Sequence, residues 1–136
     1  MNTNRILLAG LVSGVFAFLA GWLIFGILFK DLMPASMSSV MRSDENMIMW
    51  AMVVSNLLWG LLMAYIFVQW ANISTWQSGA TAGALLGLMI TASFDTGYYA
   101  MTTLFTLQEV AVDVAINTVW VALIGAFTGW WLGWKK

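Results

Sequence analysis

Four long runs of this chain carry almost no charge: Ile6–Phe29, Met47–Trp70, Gly79–Phe105 and Val110–Trp134. The first two contain no Asp, Glu, Lys or Arg, the third holds only Asp95, and the fourth holds only Asp113. A helix rising 1.5 Å per residue needs about 20 residues to cross a hydrocarbon core of roughly 30 Å, and every run is longer than that. Unbroken apolarity, with no period-two alternation, selects helices over barrel strands. The chain is 62% hydrophobic and 8% charged, whereas a soluble domain carries about 25% charged residues. The expectation is an all-α polytopic membrane protein: four transmembrane helices in one compact bundle, forming a single integral membrane domain over residues 1–136.

Arg5 ahead of the first run imitates the start of a signal peptide. The run far exceeds a signal core of about 7 to 15 residues, and no small-x-small cleavage site follows it, so the first span is expected to stay in the protein. The chain has no Cys and no His. That removes thiolate nucleophiles, imidazole bases and the commonest metal ligands, and neither a cofactor nor a metal site is expected. Five basic and six acidic residues leave a net charge of -1, with no positive field for nucleic acid.

Helix starts are marked at Ser74–Gln77 and at Thr106–Glu109, both patterned as capping boxes; Glu109 is accordingly a cap before it is a catalyst. The connection Lys30–Asn46 places Leu32, Met33, Met37, Val40 and Met41 at helical spacing beyond Pro34. It is expected either to lie flat in the interface or to pack over the bundle as a loop. Arg5, Lys135 and Lys136 fall on the side of the termini, and Lys30 and Arg42 on the other, so the positive-inside rule puts both termini in the cytoplasm. Trp70, Trp76, Trp130, Trp131 and Trp134 mark the interface at the terminal side and Trp50 the opposite one. Trp22, Trp59 and Trp120 lie within spans, where an indole N–H needs an acceptor on a neighbouring helix.

A shift of 61 residues lays the second run over the fourth, matching Asn56 with Asn117, Trp59 with Trp120, Leu62 with Leu123 and Trp70 with Trp131. The repeating unit would be a helical hairpin, and the two copies would be related by an axis along the membrane normal. Gly79, Gly83 and Gly87 recur every four residues in the third run, as do Gly125, Gly129 and Gly133 in the fourth. Small residues at this spacing let helix backbones approach closely. Facing ladders would join the two helices tightly at the terminal side and let them diverge toward the acids.

Asp95 lies about 4.5 Å from the middle of its run, where a charge costs roughly 2.5 to 3.5 kcal/mol to insert. No Lys, Arg or His lies deep in any run. Asp95 must therefore be protonated, hydrated, hydrogen-bonded or bound to a cation from outside the chain. Asn56, Asn117, Thr118, Thr91 and Tyr98 lie at compatible depth, and Asp113, Asn117 and Trp120 form one stripe of the fourth helix. Taking the third helix to the turn near Leu107 sets Asp95 about 9 Å from Asp113 along the axis, which disfavours an intramembrane enzyme working through paired acids.

Thr91-Ala92-Ser93-Phe94-Asp95-Thr96 resembles the aromatic-Asp-Leu-Thr segment of a bacterial group of four-helix membrane proteins, the domain-of-unknown-function family 2177. Val112-Asp113-Val114-Ala115 with Thr118 resembles that group's following Val-Asp-x-Ala-Trp-Gly-Thr segment at the same separation. A looser similarity extends to family 1761. Phe18–Leu23 and Leu61–Tyr65 match by pattern alone, and Ala20-Gly21 stands where family 2177 tends to place an acid before the Trp. The resemblance implies a four-helix fold in the bacterial inner membrane and no defined activity. Two functions compete. One is a carrier or channel-like protein for a proton, cation or small amine, with Asp95 as acceptor and Asp113, Asn117, Asn56, Thr91, Tyr98 and Thr118 along its path. The other is a non-catalytic accessory or assembly subunit that binds lipid, pigment or a partner membrane protein through its glycine ladders and exposed Trp. The lipid bilayer is the expected partner, and a homo-oligomer is plausible because four helices enclose little interior.

Overall fold

A computed structural model describes residues 3–24, 48–103 and 106–134 of the chain. The described residues fold into four helices: α1 (Thr3–Leu23), α2 (Met49–Tyr65), α3 (Trp76–Met101) and α4 (Leu107–Trp134). A π-helical turn, Ile66–Ala71, extends α2. Three segments are long and apolar enough to cross a membrane: Thr3–Leu23, Met49–Ala71 and Leu107–Trp134. The third expected span differs in character. α3 has the length, at 26 residues, but Gln77, Ser78, Thr81, Thr91, Ser93, Asp95 and Thr96 dilute its apolarity. The connection expected to lie in the interface, with Lys30 and Arg42, falls outside the described residues, as do Lys135 and Lys136.

The helices pair as two hairpins, α1 with α2 and α3 with α4, and α4 also packs across α1 and touches α2. Both glycine ladders face one another, as their spacing predicts. A Cβ built on Gly79 would strike the Gly125 carbonyl, one on Gly83 the Val121 carbonyl, and one on Gly129 the Thr75 carbonyl. The first hairpin uses the same device without a long ladder. A Cβ on Gly60 would collide with the Gly10 carbonyl, and one on Gly14 would lie 2.7 Å from the Leu57 Cα. Absent side chains thus let both hairpins close backbone to backbone, where packing and not hydrophobic drive holds helices in lipid.

α4 is the element on which the others converge. Ser13 Oγ and Thr128 Oγ1 meet at 2.7 Å between α1 and α4, fully buried. Thr128 Oγ1 also donates to the Ile124 carbonyl at 2.7 Å; with that proton committed, Ser13 is the donor to Thr128. The Trp120 indole donates to the Ala17 carbonyl at 3.2 Å, satisfying the need foreseen for a Trp inside a span. Gly21 leaves the room: its Cβ would lie 3.3 Å from the Trp120 Nε1. Phe16 stacks on Phe127 with centroids 4.5 Å apart. Trp22, at 63% exposure, instead points away from the bundle.

The cap of α4 forms as its sequence pattern predicts. The Thr106 N–H donates to Glu109 Oε1 at 2.9 Å and the Glu109 N–H to Thr106 Oγ1 at 3.2 Å. The cap of α3 is displaced by one residue from the expected Ser74–Gln77 box. Thr75 is the N-cap and accepts from the Ser78 N–H at 3.2 Å, because Thr75 takes the extended backbone that a cap requires.

The facing ladders give a direct prediction. Gly83→Leu forces a side chain against the α4 backbone and is expected to cost about 1 to 3 kcal/mol or more, lowering the thermal unfolding midpoint in detergent. Leu85→Ala on the exposed face of α3 should leave that midpoint nearly unchanged, and equal midpoints for the two variants would refute the crossing.

Candidate functional site

The register fixed by the glycines decides what meets farther along the helix pair. Gly87 lies against Val121, its Cβ position 2.7 Å from the Val121 Cβ. Stepping one turn along each antiparallel helix sets Thr91 at the level of Asn117, and one further turn sets Asp95 at the level of Asp113. The carboxyl groups of Asp95 and Asp113 come within interaction distance of each other.

This corrects the expected 9 Å offset between the two acids. That offset followed from running the third helix on to the turn near Leu107. α3 instead ends at Met101, and Thr102 leaves the helix with an extended backbone while its N–H still bonds the Tyr98 carbonyl. Asp95 therefore lies six residues from the end of α3, and Asp113 six residues from the start of α4. Equal spacing from the shared turn gives equal depth. The early end of α3 is the signal that the sequence pattern did not carry, since Thr102 and Thr103 interrupt the run only weakly.

The two carboxyls differ in their support. Asp113 Oδ1 accepts from Asn117 Nδ2 at 3.2 Å, and the same amide donates to the Asp113 carbonyl at 2.9 Å. Asp95 is 7% exposed, and its Oδ2 is buried without a hydrogen-bond partner among the described residues. Their only described cationic side chain, Arg5, lies near the C-terminal end of α4, where its Nη2 donates to the Leu132 carbonyl at 2.8 Å. The acid pair thus has no described counter-ion.

The remaining candidates separate. Asn117 joins the pair through Asp113, and Thr91 sits at the Asn117 level on the facing helix. Thr118 Oγ1 is spent on the Val114 carbonyl of its own helix at 2.7 Å. Tyr98 is 46% exposed and points outward. Asn56 is buried in the other hairpin, donating to the Met52 carbonyl at 2.8 Å, and among the described residues α3 has at most glancing contact with α2. The glycines Gly79, Gly83, Gly87, Gly125, Gly129 and Gly133 serve the α3–α4 packing that positions the pair. Sequence reasoning passed over the buried Ser13–Thr128 bridge, although Gly10 and Gly14 flanking Ser13 mark that face of α1 as a close crossing.

The fold and site together define a small all-helical protein with three segments long and apolar enough to cross a membrane and a buried carboxyl, Asp95, paired with a half-buried one, Asp113. No family model, curated protein or solved structure matches the chain.

Contact between the acids makes their substitutions interdependent. In a double-mutant cycle with Asp95→Asn and Asp113→Asn, the unfolding free energies are expected to depart from additivity by about 0.5 kcal/mol or more, as for neighbours. Strictly additive effects would return the two acids to separate depths.

Proposed function

We propose that this chain is a four-span integral membrane protein that carries a proton, a monovalent cation or a small amine, with Asp95 and Asp113 as its internal binding pair. The supporting observation is the buried, unpartnered Asp95 Oδ2 beside a second carboxyl. Two carboxyls that close cannot both hold uncompensated negative charge in a medium of low dielectric. They require a shared proton or a cation, and the described residues offer no base within reach. Acids placed within membrane spans characteristically mark ion and substrate paths. No group of three or more His, Cys, Asp and Glu assembles among the described residues, so a lightly coordinated cargo suits the pair better than a multidentate metal centre.

In this reading α3 is the fourth span, tolerated in the bilayer because its polar side chains bond its own carbonyls. Thr96 Oγ1 donates to the Ala92 carbonyl at 2.6 Å, and Thr81 Oγ1 to that of Gln77 at 3.0 Å. Asn117 holds Asp113, leaving Asp95 as the group that meets the cargo. Location in the bacterial inner membrane with cytoplasmic termini, and kinship with family 2177, belong to the same proposal.

The accessory-subunit reading keeps exposed Trp residues, among them Trp22, Trp50, Trp70 and Trp130, and adds the exposed outer face of α3 with Leu85, Leu88, Met89 and Phe94. Its proposed device is weaker than the sequence suggests, because the glycine ladders are consumed within the chain and do not present themselves to a partner helix.

Reconstituted vesicles test the carrier. With a proton gradient or methylammonium as cargo, Asp95→Asn is expected to lower flux by about an order of magnitude or more, the scale of one charge-assisted contact. Thr118→Val, whose hydroxyl serves its own helix, should retain flux. Wild-type flux in folded Asp95→Asn vesicles would end the proposal.

A further inference from the structure

We propose that the opposite end of the bundle holds a binding site for a phosphate-bearing anion, built around Arg5. A cavity of about 230 Å³ opens there, lined by Arg5, Phe67, Val68, Asn72, Ile73 and Ser74. This is several times the roughly 30 Å³ that one water occupies in the liquid. Among the described residues the guanidinium makes one hydrogen bond, to the Leu132 carbonyl at 2.8 Å. Its Nε is buried and has no hydrogen-bond partner among the described residues. The described carboxylates are all at the far end, Asp95 near the close of α3 and Glu109 and Asp113 near the start of α4. Arg5 therefore brings a net positive charge and unused donors to a cavity with no described anion to meet them.

The π-helical turn Ile66–Ala71 widens the end of α2, and Asn72 follows it in the left-handed conformation at φ 52°, its N–H bonded to the Phe67 carbonyl. The chain that follows the turn places Asn72 and Ser74, two residues with neutral polar side chains, in the lining of the cavity beside Arg5. Planar guanidinium donors with flanking neutral ones suit tetrahedral phosphate oxygens. The exposed Trp70, Trp76 and Trp134 lie at the same end, in the manner of side chains at lipid headgroup level. Both a phospholipid headgroup and free phosphate offer the required chemistry.

The test uses the purified full-length chain in neutral detergent, with thermal unfolding followed as short-chain phosphatidylglycerol, short-chain phosphatidylcholine or inorganic phosphate is added at constant ionic strength. A saturable rise in the midpoint with phosphatidylglycerol is expected, weakened about tenfold or more in apparent affinity by Arg5→Gln. Asn72→Asp should weaken it likewise. That variant keeps a residue tolerant of the left-handed conformation and leaves the Arg5–Leu132 bond in place, so it carries the test if Arg5→Gln does not fold. Stabilisation by phosphatidylglycerol without inorganic phosphate assigns a lipid ligand, and stabilisation by both assigns the phosphate group itself. An equal response to phosphatidylcholine, no saturable response to any probe, or unchanged affinity in Asn72→Asp would overturn the site.

Discussion

The backbone crossing of α3 on α4 is the constraint from which the rest of the arrangement follows. Lipid tails are as apolar as leucine, so helices gain little by hiding apolar side chains from them, and close packing must supply the attraction. Glycine at every fourth position removes the Cβ layer from both partners at once. The carbonyls of Gly79, Val121, Gly125 and Thr75 then occupy space that side chains would otherwise fill. A crossing this close allows a single register, since a slip of one residue would drive a leucine or tryptophan into the facing backbone. That register, set by glycines two turns away, brings Asp95 level with Asp113.

The internal repeat expected from the sequence has one counterpart in the structure and no overall symmetry among the described helices. Trp59 and Trp120, equivalent under the shift of 61 residues, meet edge to face with centroids 5.8 Å apart. Equivalent residues that touch must lie near any axis relating them. Each hairpin also closes on small residues. Beyond this the halves diverge: α4 packs on α1 through Ser13–Thr128, Trp120–Ala17 and Phe16–Phe127, whereas the corresponding α2–α3 contact is at most glancing. Among the described residues α3 is consequently joined to the bundle mainly through α4.

Helix number, the glycine pairing, the Thr106–Glu109 box and the need of Trp120 for an acceptor were legible in the sequence, because each rests on a short-range pattern with one dominant physical cause. The meeting of the acids was not legible. It depends on where α3 stops, and threonines at 102 and 103 end a helix without the Gly or Pro that would announce it. The first hairpin's crossing was written in Gly10, Gly14 and Gly60 but lacked the threefold repetition that draws attention to the second. The companions of Asp95 proved the least predictable. Depth along a helix follows from counting residues, whereas the face a residue presents depends on which helices pair, and that choice left Asn56 in the other hairpin and turned Tyr98 outward.

The placement of charge along the bundle bears on why Asp95 is there at all. Arg5 donates to a last-turn carbonyl of α4, and Glu109 sits in the first turn of the same helix; each meets the end of the helix dipole that favours it. Asp113 has the amide of Asn117. Asp95 alone among the described charged residues has a buried side-chain oxygen of its carboxyl with neither a cap, an amide nor a cation beside it. A chain selected only for a stable bundle would relieve that position cheaply, since leucine or asparagine at 95 removes the acid and leaves the glycine crossing intact. Held level with Asp113 by that register, Asp95 keeps one carboxyl oxygen without a partner among the described residues, and this is the feature on which the proposed proton or cation binding rests.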